Sequence, residues 1–226
     1  MMSRMMSFGT MGVLAGMLVI GSGAGAGEQA GRPAGPGAGA ARAKLMQGER
    51  GQGIGNHIQR IEEAIANHPK MTPEVKAALE KLVADLKDRR ADFEKLMADA
   101  KAGNKEAVEA DRAELRKDRL QVVQDRIAFL TARIAAIEGR LAAHPSAPAD
   151  IKAAVEQLVA DLKDRKSDLE KLAADAQAGN KEAVKADVGE IKGDREQLMK
   201  DRQAVRAAFQ AHRGELQKNA AGRGAQ

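Results

Sequence analysis

From Ile54 onward, apolar residues return in alternating steps of three and four, the period of one helix face rather than of a strand. Ile54, Ile58, Ile61 and Ile65 predict a first helix over about 54–68. The chain then turns through His68-Pro69. Thr72 is placed to cap a second helix whose first residue is Pro73. Val75, Leu79, Leu82, Leu86, Phe93 and Leu96 carry its seam to about 101. Gly103 ends that helix and Asn104 caps the next; Gly179 and Asn180 recur in the same roles. Between 104 and 144 there is no proline and one glycine, Gly139, while Leu120, Val123, Ile127, Leu130, Ile134, Ile137 and Leu141 keep the spacing unbroken. The third helix is therefore continuous and about 60 Å long at roughly 1.5 Å per residue. A fourth covers about 149–177. A fifth covers about 180–216, with Val184, Val188, Ile191, Leu198, Val205, Phe209 and Leu216 on its seam.

The pattern is also duplicated. Residues 82–89 return letter for letter at 158–165, and 102–108 at 178–184, both 76 positions later. His68-Pro69 returns as His144-Pro145, and Asp125-Arg126 as Asp201-Arg202. A fixed period without insertion marks a tandem helical unit. Repeat one spans about 52–127, and repeat two about 128–203 with an extension. The expected fold class is all-α: an elongated array of five antiparallel helices, two three-helix repeats sharing the long central helix, with coiled-coil-like packing. Helices hidden along narrow seams leave little room for a ligand cavity of about 300 Å³.

The segments flanking 54–217 read differently. Residues 1–26 have the form of an export signal: Arg4 near the start, an uncharged stretch from Phe8 to Ile20, and Ala24-Gly25-Ala26 as a cleavage site. Membrane contact is expected only through this leader, before cleavage. Gly, Ala and Pro dominate 27–53, which predicts a disordered linker, and 218–226 reads as a loose tail. The expected location is outside the cytoplasm, periplasmic or secreted.

Composition supports long helices over a globular core. The 226 residues include no Cys, Trp or Tyr and four Phe, with 31% charged residues. The formal charge of +5 suggests an anionic partner until it is located. Seven of the 37 basic residues (Arg4, Arg32, Arg42, Lys44, Arg50, Lys218, Arg223) and two of the 32 acidic ones (Glu28, Glu49) lie outside 54–217, which leaves 30 of each sign within it. The excess charge is in the ends, so no specific nucleic-acid surface is expected on the fold. Weak adhesion to polyanions or a membrane surface through the basic tails is an alternative.

The most unusual pattern is a ladder on the third helix: Arg112, Arg119, Arg126, Arg133 and Arg140, each seven apart, the first three preceded by Asp111, Asp118 and Asp125. Asp194-Arg195 and Asp201-Arg202 repeat it on the fifth. A track for an anionic partner is one reading. Interhelical ion pairs that set helix register are the reading favoured by position along the seam. Folding back around 102–103 pairs Arg119 with Asp85 and Arg112 with Asp92, and the duplicate pairs Arg195 with Asp161.

His68 and His144 end helices before proline, where they are expected to cap the last carbonyls. Standing one repeat apart, they do not form a metal site, and no metal, cofactor or small-molecule substrate is inferred. Ser and Thr are few, no nucleophile–base set is evident, and the Gly-rich segment 21–39 lacks a phosphate-loop context. No catalytic activity is expected. The expected role is an exported bacterial envelope protein, structural or interacting, that offers helical surface to a protein partner or to another copy of itself. The alternative is a periplasmic holdase chaperone or stress protein.

Overall fold

The computed structural model describes residues 38–223, and among them every regular element is a helix. There are five: α1 (Ala38–Asn67), α2 (Pro73–Ala102), α3 (Lys105–Ala143), α4 (Ala149–Ala178) and α5 (Lys181–Arg223). The leader, 1–26, lies outside the described residues, as do 27–37 and 224–226.

Two bounds differ from the sequence reading. Helix α1 begins at Ala38, so the part of the linker from 38 to 53 is helical. Gly39, Gly48, Gly51 and Gly53 argue against a helix there, at about 1 kcal/mol each relative to alanine, yet the residues between them, Ala40 to Gln47, are among the strongest helix formers. Helix α5 likewise continues to Arg223, through Lys218 and into the segment read as a tail.

The other boundaries follow from local chemistry. Gly103 and Gly179 sit at φ 74° and 72°, the left-handed region that ends a helix without a Cβ penalty. Behind Gly179 the amides of Gly179 and Asn180 donate to the carbonyls of Ala176 and Asp175 at 3.2 and 3.0 Å, which satisfies two of the helix's last acceptors. Each following helix opens on an asparagine: Asn104 Oδ1 accepts from the Ala107 amide at 3.2 Å, and Asn180 Oδ1 from Ala183 at 3.3 Å. Thr72 Oγ1 accepts from Val75 at a long 3.5 Å, and Pro148 precedes α4 with no side-chain cap. The backbone, not the ring, of His144 makes the contacts seen there: its amide donates to Leu141 and its carbonyl accepts from Ala147, both at 3.1 Å. His68 stands one residue beyond the end of α1.

A Cβ built on Gly103 or Gly179 meets nothing within 4 Å, so the penalty for alanine is conformational alone. Gly179→Ala and Asn180→Ala are each expected to cost about 1 kcal/mol, read as a lower guanidinium midpoint with an unchanged slope. A loss below a few tenths for both would remove these caps from the account of where the helices stop.

Within the described residues the chain divides into two compact units. One holds 38–69 and 79–125. Its core is Ile58 and Ile61 of α1, Leu79, Leu82, Val83 and Leu86 of α2, and Leu115 and Val122 of α3. The other holds 70–78 and 126–223. Its core is Phe129, Leu130, Ile134 and Ile137 of α3, Ile151, Val155, Leu158, Leu162 and Leu169 of α4, and Leu198 and Val205 of α5. In that unit α4 and α5 pack along their lengths.

Candidate functional site

Among the described residues five charged side chains are buried: Asp111, Asp125, Arg133, Asp187 and Asp201. Four are the aspartates of Asp-Arg steps or their heptad equivalents, and their place follows from spacing. On α3, Val108, Asp111, Leu115, Asp118, Val122, Asp125 and Phe129 run 3-4-3-4-3-4; on α5, Val184, Asp187, Ile191, Asp194, Leu198, Asp201 and Val205 do the same. One seam thus alternates an apolar layer with a carboxylate layer. Asp187 is 0% exposed, Asp111 and Asp125 3%, and Asp201 5%.

What faces each aspartate differs by layer. Lys95 Nζ of α2 reaches Asp111 Oδ1 at 2.7 Å, and in α4–α5 Lys171 Nζ lies 2.9 Å from Asp187 Oδ1 and 3.1 Å from Glu190. The Asp187 contact is a close ion pair outside hydrogen-bond alignment, since neither carboxylate oxygen of Asp187 has a hydrogen-bond partner. These lysines are half-exposed, so each spans from solvent to a buried acid and is held above its ordinary pKa by it.

The other layers set carboxyl against carboxyl. Asp118 meets Asp92 with Arg89 close by; its burial, then the Asp92 charge, raise its pKa to about 6. Asp201 meets Asp161, and the same two causes raise it to about 6. Asp194 is raised by burial and by Asp168. Asp125 is raised by burial and its contact with Asp85, while Lys81 bridges both acids and Asp85 is held low. Two carboxyls at hydrogen-bond distance cannot both ionise cheaply, so each pair favours a shared proton. One buried Oδ2 on each of Asp118, Asp125, Asp161, Asp194 and Asp201 has no other partner.

The arginines of the ladder lie elsewhere. Arg112 and Arg119 are exposed, and Arg126, Arg195 and Arg202 half-buried. Among the described residues, Arg119–Asp85, Arg112–Asp92 and Arg195–Asp161 do not form. Asp85 is bonded by Lys81 at 3.1 Å, Asp92 faces Asp118, and Asp161 accepts from Gln157 at 2.8 Å. The charge of Arg119 acts on Arg89, and that of Arg195 on Arg165, in each case another arginine. The cause is which stripe of α3 is buried. Leu120, Val123 and Ile127 are only half-buried, whereas Leu115, Val122 and Phe129 are buried. On α3 that rotation puts Asp111 and Asp125 into the interface and leaves Arg112 and Arg119 exposed. A usable signal was present: in both repeats the aspartates keep the phase of the apolar stripe.

A second feature departs from expectation. An open groove of about 380 Å³ runs between α1 and α2, lined by Gly55, Ile58, Glu62, Lys87, Arg90 and Glu94. Gly55 lets Arg90 lie close against α1: a Cβ there would stand 3.3 Å from Arg90 Nη1. Its charges are matched, Lys87 with Glu62 at 2.7 Å and Arg90 with Glu94 at 2.9 Å.

Comparison with protein-family models, curated proteins and solved structures gives no match. Among the described residues no three His, Asp or Glu side chains converge as metal ligands, and no helix is long and apolar enough to cross a membrane. What the arrangement can do chemically is exchange protons within carboxyl pairs.

Proposed function

We propose that this is a non-catalytic, exported envelope protein, a helical scaffold that offers an extended surface to a protein partner or to a second copy. The observation that carries the reading is the series of carboxylate layers inside the seams. Buried polar layers add little net stability but penalise every wrong register, which suits a protein whose product is a defined surface. The finer architecture belongs to the same proposal: two tandem 76-residue repeats of antiparallel helices sharing α3. Its support is that Lys81 contacts Asp125 while Lys95 contacts Asp111, so residue numbers rise on one helix as they fall on the other. The exported address rests on the leader, Arg4 and Ala24-Gly25-Ala26.

Sedimentation velocity of the chain from Gly27 onward, with crosslinking in the native envelope, tests this. An elongated particle and a reproducible crosslinked protein or self-adduct are the expected results. A compact monomer that crosslinks to nothing overturns it. Suppression of aggregation of an unfolded client at stoichiometric ratio would instead favour the holdase.

A further inference from the structure

Arg133 is the buried charge that the carboxylate layers do not account for. It is 2% exposed, on α3 between Phe129-Leu130 and Ile134, and its Nε and Nη2 are buried with no partner. A buried guanidinium usually has a carboxylate; here every charge acting on Arg133 is another guanidinium, Arg202 of α5 and Arg165 of α4. Burial and these like charges lower its pKa to about 9. Arg202 is in the same position: its Nε is buried and unpartnered, and Arg165 and Arg206 are the charges acting on it. Arg165 alone has relief, from the Asp194 charge and through donation of its Nη1 to the Ile191 carbonyl at 3.3 Å.

Three cations from three helices, with buried N–H donors unused and the Asp194 charge acting on Arg165 alone, form an arrangement short of negative charge. We propose that Arg133, Arg165 and Arg202 form a binding site for one small oxyanion of the phosphate class. The chemistry selects that class. Guanidinium forks match tetrahedral oxyanions, and a dianion offsets most of the clustered charge. Arg165 and Arg202 are half-buried and supply the mouth, while Arg133 supplies the floor. A floor buried to this degree admits a single head group, either a free ion or the end of a monoester. The residue 76 positions before Arg133 is His57, so the duplicated segment does not carry the same three guanidiniums. The inference is independent of the scaffold role.

The test is the thermal midpoint of the full chain titrated with inorganic phosphate or with glycerol 3-phosphate, at ionic strength held constant with chloride. Phosphate is expected to raise the midpoint by several degrees and to saturate. Arg133→Met, which fills the same space without charge, is expected to melt higher than wild type without phosphate and to bind it at least tenfold more weakly. Arg202→Gln keeps the floor and should lose most of the affinity too. A response to phosphate alone assigns the free ion; an equal or larger response to the ester assigns a monoester terminus. No saturable shift with either probe, or the same shift in Arg133→Met as in wild type, overturns the site.

Discussion

Replacing Asp187 and Asp201 together by leucine is expected to stabilise the α4–α5 pair by about 2–4 kcal/mol near neutral pH. Both side chains are buried, at 0% and 5% exposure, and both present buried carboxylate oxygens with no hydrogen-bond partner. Leucine matches the packing, as Leu162 at 0% and Val205 at 0% show for neighbouring layers. Little is stranded by the change, since Lys171 is half-exposed and keeps Glu190 at 3.1 Å. The gain should come with a loss of uniqueness. With Asp194 as the one carboxylate left on that stretch, the seam tolerates a slip of one heptad more readily, so the variant is expected to populate several oligomers in sedimentation while its denaturation midpoint rises. A lower midpoint would mean that the Lys171–Asp187 contact outweighs the burial it requires, and the layers would then be stabilising elements rather than register markers.

Acidification from about pH 7.5 to about pH 5 is expected to raise the thermal midpoint by about 4–8 °C, on the order of 2 kcal/mol after allowing for solvent at the half-buried members. The sign follows from the raised carboxyls. Asp118 and Asp201 hold their protons up to about 6, above the ordinary 3.8. Their contribution is therefore complete when they are protonated, below about 3.8, and is lost as pH rises through 6. Asp85 runs the other way: its lowered pKa confines its loss to pH below 3.8, outside this window. The groups facing the pairs are mixed, Arg89 beside Asp118 and Lys200 beside Asp201 lowering the pKa, Glu114 raising it. Asp118→Asn with Asp201→Asn mimics the protonated state. This variant should melt near neutrality where wild type melts in acid, with a flat profile between. A wild-type midpoint that falls on acidification from neutrality would reverse the argument.

How much of this was legible beforehand depended on what kind of signal each feature left. Helices α2 to α4 and the start of α5 announced their ends through Gly103, Asn104, Gly179, Asn180 and two prolines, residues whose backbone preferences act locally. Helix α1 did not, because a stretch with four glycines between Gly39 and Gly53 reads as linker by composition, and composition does not weigh the Ala, Leu and Met between them. The candidate site was half visible. The heptad of Asp-Arg steps was plain; which member of each step faces inward was not. That choice is a rotation of α3 by about 100°, one residue's worth, and the apolar stripe through Leu120 competes with the one through Leu115 and Val122. Only packing decides between them. Arg133 was seen as a rung of the ladder, but its isolation from acids depends on α4 and α5 and leaves no mark in its own neighbourhood of sequence.

The two copies of the segment also differ at a position where a single exchange changes behaviour. Lys81 clasps Asp85 and Asp125, while its counterpart 76 residues on is Gln157, which donates to Asp161 at 2.8 Å and leaves Asp161 and Asp201 facing each other. A fixed cation makes the first clasp hold at any ordinary acidity. The second has no cation bridging its two acids, only the Lys200 charge beside Asp201, and depends on a proton borrowed from the medium. Near-identical sequence thus yields one layer held by a fixed cation and, at the equivalent place in the other copy, one whose grip is set by its surroundings.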